Sequence, residues 1–314
     1  MERIQLVSEI KQLKRLNNAV IMAHYYQQDD IQEIADFIGD SLALAQEAAK
    51  TKADTIVLCG VHFMGETAKL ICPEKKVLIP DANAGCSLAD SCPTKEFESF
   101  IKAHPGHTVI SYVNTSAEIK ALTDIVVTST NAVTIVKSLP EHEKIIFGPD
   151  KNLGNYINSL IGRNMVLWDG ACHVHEQFSV EKIIKLKRIH SEAKLIAHPE
   201  CKKVVLNLAD FIGSTSSLIK YAQRSDFSEF IVATESGILH EMRKICPDKV
   251  FIPAPPQDST CACNECSFMR LNTLEKVRDC LKNQTPSIEI PEHLQKKALK
   301  PILRMLELSQ KLTI

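Results

Sequence analysis

Three cysteines, Cys86, Cys172 and Cys266, recur at intervals of about 90 residues, each a short distance past an apolar run that reads as a strand: KKVLIP, NMVLWD and DKVFIP. Thiolates are soft ligands that select zinc or iron–sulfur clusters. A structural zinc takes four ligands, usually in close C-x-x-C pairs, and these three cysteines are far apart. The loop C-A-C-N-E-C, with Cys261, Cys263 and Cys266, could add ligands and keeps zinc open as an alternative. A cubane [4Fe-4S] cluster normally takes four cysteines. With three, one iron keeps an open position and can act as a Lewis acid on a substrate oxygen, which suits dehydration.

Further polar residues stand where other apolar runs end. AVIMAH leads into the pair His24/Tyr26, HTVISY into Tyr112/Asn114 and AKLIAH into His198/Glu200. Alternate residues of a strand share a face, so each pair is expected to project toward one side. Ser41, Ser129 and Thr215 are read as opening helices, where hydroxyls and backbone N–H groups hold carboxylates or phosphates. His175, in the CHVH run after Cys172, is a further candidate.

An internal repeat places all of these residues. IADFIGDSLALAQEAA returns in weaker form as LADFIGSTSSLIKYAQ, with Asp36 matched to Asp210 at an offset of 174, and the same offset takes His24 to His198. Near the midpoint Tyr112 and Asp124 stand as a third copy. Each copy reads as strand, helix, Asp landmark, helix, a third apolar run (DTIVLCG, EKIIFGP, EFIVATE), helix and last strand. Strands alternating with helices imply parallel sheets. Ligands of such sheets bind beyond the carboxyl ends of the strands.

The expected fold is therefore α/β: three pseudo-threefold-related small domains, each a parallel four-stranded sheet flanked by helices, whose carboxyl ends converge on a central Fe–S site. The expected divisions are an N-terminal helix at 1–18, repeats at 19–105, 106–192 and 193–285, and a C-terminal helical segment at 286–314. Length alone suggests about two domains, whereas the repeat gives three.

Composition excludes other classes. With 45% apolar and 24% charged residues, the 314-residue chain has the make-up of a globular protein. Its 37 basic residues against 38 acidic ones argue against nucleic acid as a partner. No apolar run approaches membrane-spanning length, and the N-terminus, MERIQLVSEIKQLKRLNN, lacks a secretory apolar core. A cytoplasmic location is expected, where 11 cysteines are not a disulfide framework. Cys59, Cys72, Cys92, Cys201, Cys246 and Cys280 read as packing residues, Cys261 and Cys263 as bystanders. His62, His104, His107, His142, His190 and His240 carry no pairing signal, and the charge-rich EKIIKLKRIH and PEHLQKKALK read as solvated helix faces.

The runs MAHYYQ, GVHFMGETAKLI, DANAGCSLADSC, SYVNTSAEIKA, TSTNAV, FGPDKNLG, WDGACHVHEQF, AHPEC, GSTS, ATESGILHEM and CNECSFMRLNTLE, in this order and spacing, resemble the quinolinate synthase family from about residue 18 to residue 280. The resemblance implies a condensing and dehydrating enzyme of transferase or lyase type in NAD biosynthesis. It would join iminoaspartate to dihydroxyacetone phosphate and release phosphate and two waters, with an open iron of a [4Fe-4S] cluster as Lewis acid. An L-aspartate oxidase or dehydrogenase is the implied supplier of iminoaspartate. The implied cluster ligands are Cys86, Cys172 and Cys266. Ser267 stands where the family usually has Pro. The implied substrate contacts are His24, Tyr26, Ser41, Tyr112, Asn114, Ser129, His175, His198, Glu200 and Thr215. Resemblance favours His175 over His173, and Tyr26, Tyr112, His198 and Glu200 are the available acid/base groups.

Overall fold

A computed structural model describes residues 3–258 and 265–311. After α1 (Arg3–Leu16), the first repeat runs β1 (Ala19–His24), α2 (Asp29–Ile34), β2 (Phe37–Gly39), α3 (Ser41–Lys50), β3 (Thr55–Cys59), α4 (His62–Ile71), β4 (Lys76–Leu78), a short α5 (Ser87–Asp90) and α6 (Thr94–Ala103). The second runs β5 (Thr108–Tyr112), α7 (Ala117–Ala121), β6 (Ile125–Val127), α8 (Ala132–Ser138), β7 (Ile145–Gly148), α9 (Lys151–Ile161), β8 (Val166–Leu167), short α10 (His173–Glu176) and α11 (Val180–Ile189). The third runs β9 (Lys194–Ala197), α12 (Lys203–Leu206), β10 (Phe211–Ile212), α13 (Thr215–Arg224), β11 (Glu229–Ala233), α14 (Ile238–Ile245), β12 (Val250–Pro253), a 3₁₀ turn at Met269–Leu271 and α15 (Leu274–Asn283). The chain then forms α16 (Glu292–Lys311).

Three four-stranded sheets result, ordered β2-β1-β3-β4, β6-β5-β7-β8 and β10-β9-β11-β12, with every pairing parallel. The expected α/β fold with three parallel four-stranded sheets is thus present. Central strands such as β3 (TIVLC) and β7 (IIFG) are buried along their whole length, the pattern of a sheet covered on both faces. The repeated aspartate proves to be a clasp. Asp36, Asp124 and Asp210 each accept the N–H of the first strand at Ile21, Val109 and Leu195, at 2.9, 2.8 and 2.8 Å. Each also donates its own N–H to that residue's carbonyl, at 2.8, 2.9 and 2.7 Å.

One expectation needs correction. Ser129 does not open a helix, because α8 starts three residues later, at Ala132. Asn131 Oδ1 instead accepts the Thr128 N–H at 2.7 Å, closing a turn that carries Ser129 and Thr130. Ser41 and Thr215 do begin helices, capped by the side chains of Asp40 and Ser214 before them.

One face of each sheet is covered by a helix from another repeat. Phe97 of α6 packs in the cluster of Val109 and Ile146 on the second sheet, and Ile183 of α11 packs with Leu195 and Ile231 on the third. On the first sheet, Val277, Cys280 and Leu281 of α15 join Leu6 and Ile10 of α1 against Ile21, Val57 and Leu78. Ile302 and Met305 of α16 belong to the large cluster shared by the first two repeats. EKIIKLKRIH falls mainly on α11, where Ile183 is buried and the charged side chains lie outside the buried set. Cys59, Cys72, Cys92, Cys201, Cys246 and Cys280 are all buried, as packing residues would be, whereas Cys86, Cys172 and Cys266 are partly open. Cys261 and Cys263 lie outside the described residues.

Candidate active site

All thirteen residues proposed from the sequence line one cavity: the three cysteines, the three strand-end pairs, Ser41, Ser129, Thr215 and His175. None of the histidines set aside lines it. His104, for example, uses Nδ1 on the Phe100 carbonyl at 2.8 Å, and His190 pairs with Glu229 at 2.6 Å.

Two of the strand-end pairs, His24/Tyr26 and His198/Glu200, reach the cavity by a route other than strand alternation. His24 is the last residue of β1, and the chain turns at once, Gln27 N–H donating to the His24 carbonyl at 3.0 Å. That turn brings the Tyr26 N–H to His24 Nδ1 at 3.2 Å. The third repeat does the same: Cys201 N–H reaches the His198 carbonyl at 3.0 Å, and Glu200 N–H faces His198 Nδ1 at 3.4 Å. In both imidazoles Nδ1 is an acceptor, so the neutral ring carries its proton on Nε2. Burial keeps both rings neutral, lowering His24 to about 4 and His198 to about 3.

Glu200, 3% exposed, is the hub of the polar wall. Tyr112 donates its hydroxyl proton to Oε1 at 2.5 Å, and His175 Nδ1 lies 3.0 Å from Oε2, close but not aligned as a hydrogen bond. Burial opposes the Glu200 charge, and His175, His198 and the Tyr112 hydroxyl overcome it, holding the carboxyl down at about 2. Burial and the Glu200 charge in turn push the Tyr26 and Tyr112 phenols well above their usual range, so both stay protonated. Tyr26 Oη lies 2.7 Å from Thr234 Oγ1 and 3.1 Å from Thr215 Oγ1, and His175 Nε2 lies 3.0 Å from Thr234 Oγ1.

The cysteine loops are tied to one another. Cys86 and Cys172 immediately precede α5 and α10, and their next residues meet, Ser87 Oγ lying 2.6 Å from His173 Nδ1. His173 thus joins two cysteine loops, while His175 lines the cavity. The third loop is held by Glu235, 1% exposed, whose Oε1 accepts from Cys266 N–H at 3.1 Å and Arg270 Nη2 at 2.9 Å. Its Oε2 accepts the Gly237 N–H at 2.7 Å. Gly237 must be glycine here, because a Cβ would stand 2.7 Å from the Tyr26 carbonyl carbon. One sulfur, one nitrogen and one carboxylate oxygen, from Cys172, His175 and Glu200, lie within 4.8 Å of one another, a group able to hold a metal ion.

The profile of the quinolinate synthetase A protein family matches residues 8–307. The chain is 60% identical over 306 residues to a quinolinate synthase of Trichormus variabilis, covering 98% of this chain and 94% of that one. It is 58% identical over 310 residues to one of Chloroherpeton thalassium, covering 99% and 96%. The chain belongs to the quinolinate synthase family. In this quinolinate synthase family member, sequence reasoning missed Asp40, Thr234 and Glu235. Thr234 and Glu235 directly follow β11, so the rule that located His198 past β9 could have found them. Asp40 carried the signal of a helix cap and no more.

Proposed function

We propose that the cavity condenses iminoaspartate with dihydroxyacetone phosphate to quinolinate, releasing phosphate and two waters. The observation that carries this reading is the meeting of all thirteen sequence-derived positions in one cavity of a family member. The three domains, 19–105, 106–192 and 193–285, are proposed to stand about a pseudo-threefold axis. Support comes from the way α6, α11 and α15 each close the apolar face of the next sheet, the last returning to the first. The free thiols of the nine described cysteines suit a reducing, cytoplasmic setting. Among the described residues no helix is long and apolar enough to cross a membrane.

The donor set fits a [4Fe-4S] cluster on Cys86, Cys172 and Cys266. Three cysteines from three repeats line one cavity. Burial raises all three thiols, Cys86 to about 12, and Cys266 adds to the shift of Cys86 as Cys86 does to that of Cys172. Such buried thiols give up protons when a metal centre replaces them. When bound, a three-cysteine cluster supplies a Lewis-acidic iron for dehydration.

The protein's own groups divide the remaining work. Among the described residues no Lys or Arg lines the cavity, so the anionic substrates are held by neutral donors: the hydroxyls of Ser41, Ser129 and Thr215 and the Nε2–H of His24 and His198. Buried atoms without hydrogen-bond partners among the described residues, Asn114 Oδ1 and Thr128 Oγ1, also stand at this cavity and are free to bind substrate. Glu200 is the ionised proton acceptor, and Tyr112 and Tyr26 are proton donors. The test is anaerobic incubation of the iron-loaded protein with dihydroxyacetone phosphate and iminoaspartate made in place from L-aspartate by an L-aspartate oxidase or dehydrogenase supplied with an electron acceptor other than dioxygen. Quinolinate is the expected product, and none from a fully loaded protein would end the reading. The Cys172/His175/Glu200 group favours a second reading, a single zinc ion, which elemental analysis separates from the first.

A further inference from the structure

We propose that Asp40 is a positioning residue, whose carboxylate gathers one group from each repeat and so sets Ser41, Ser129 and Thr215 at a single anion-binding point. The side chain is 6% exposed and lies at the cavity wall. Oδ1 accepts the Ala43 N–H at 2.9 Å and caps α3. Oδ2 accepts two hydroxyl protons, from Thr130 at 2.9 Å and from Ser216 at 2.6 Å. Those partners come from the second and third repeats and are the chain neighbours of Ser129 and Thr215, as Asp40 is of Ser41. One carboxylate therefore fixes the three short segments that carry the three hydroxyls.

The repeat shows that this is a departure from symmetry. At the positions equivalent to Asp40 the other copies have Thr128 and Ser214, neither of which offers a carboxylate. With no Lys or Arg in the lining among the described residues, anion binding rests on neutral donors, whose attraction is directional and falls off as soon as they diverge. Thr130 and Ser216 spend their protons on Asp40, and their neighbours Ser129 and Thr215, with Ser41, line the cavity.

This inference rests on the reading of the cavity as an anion site given above. The discriminating variant is Asp40→Asn, which keeps the cap oxygen but replaces the shared acceptor Oδ2 with a donor. Calorimetric titration of wild-type holoenzyme with inorganic phosphate should show binding, and Asp40→Asn should weaken it about fivefold or more. Iron and sulfide content should stay at the wild-type level. Thr130→Val and Ser216→Ala should each weaken phosphate, and Thr130→Val should add nothing to Asp40→Asn. If Asp40→Asn does not fold, the two hydroxyl variants decide alone. Unchanged phosphate affinity, effects that simply add, or a wild-type protein that takes up no phosphate would overturn the assignment. Phosphate binding without quinolinate formation would instead sink the proposed reaction and leave the role of Asp40 standing.

Discussion

The two ends of the three sheets tell different stories. Near the start of each first strand the repeats are the same: an aspartate accepts the N–H of Ile21, Val109 or Leu195 at nearly one distance. At the carboxyl ends they diverge, His24/Tyr26 against Tyr112/Asn114 against His198/Glu200, while all six side chains face one cavity. What the copies share builds sheets. What they do not share faces the cavity, as an asymmetric reaction would require of equivalent points. The cysteines stand between these cases, repeated like scaffold yet partly open like a site.

Variants should separate the two ends sharply. The largest loss is expected from Cys86→Ala, Cys172→Ala or Cys266→Ala, each of which should abolish both the cluster absorbance and quinolinate formation. A variant retaining both would remove that cysteine from the ligand set. Glu200→Gln should keep iron and sulfide but lower kcat by about 10²- to 10⁴-fold, read in a steady-state assay. Wild-type turnover would return Glu200 to the scaffold side of the comparison.

Acid should expose the carboxyl ends next. The His24 and His198 rings stay neutral in the folded protein down to about 4 and about 3, whereas in the unfolded chain they take up protons below about 6.5. The unfolded state then binds more protons, so stability falls as pH drops from 6.5 toward 4. Glu200, held at about 2, extends the loss as pH falls below its unfolded value. Replacing His24 with Gln should flatten the slope of unfolding free energy against pH in denaturant titrations, and an unchanged slope would contradict a neutral buried ring. The smallest effect belongs to the clasp. Asp124→Ala should cost about 0.5–1.5 kcal/mol of stability with kcat unaltered, and a fall in kcat without a fall in stability would contradict a purely structural clasp.

Much of this organisation was legible in the sequence because it is written locally. Apolar runs, helix patterns and a fixed repeat offset give the three sheets, and the rule that ligands bind past strand ends gives the cavity wall. The route by which the strand-end pairs meet was not legible: it depends on turns at Gln27 and Cys201 that fold each second residue back toward its histidine. Ser129 was misread as a helix opener because the Asn131 side chain, which postpones α8, leaves no periodic trace. Asp40 shows the limit most plainly. Its cap on α3 spans three residues, but its bonds to Thr130 and Ser216 cross 90 and 176 residues, and no local pattern records them.

The proposed reaction requires three thiols from three repeats to act as one ligand set. Iron and acid-labile sulfide analysis of anaerobically purified wild type, beside the three single cysteine-to-alanine variants, tests it directly. About four irons and four sulfides per wild-type chain, with loss in every variant, is the predicted result. A stoichiometric zinc ion, or a full cluster in any one of the variants, would contradict it.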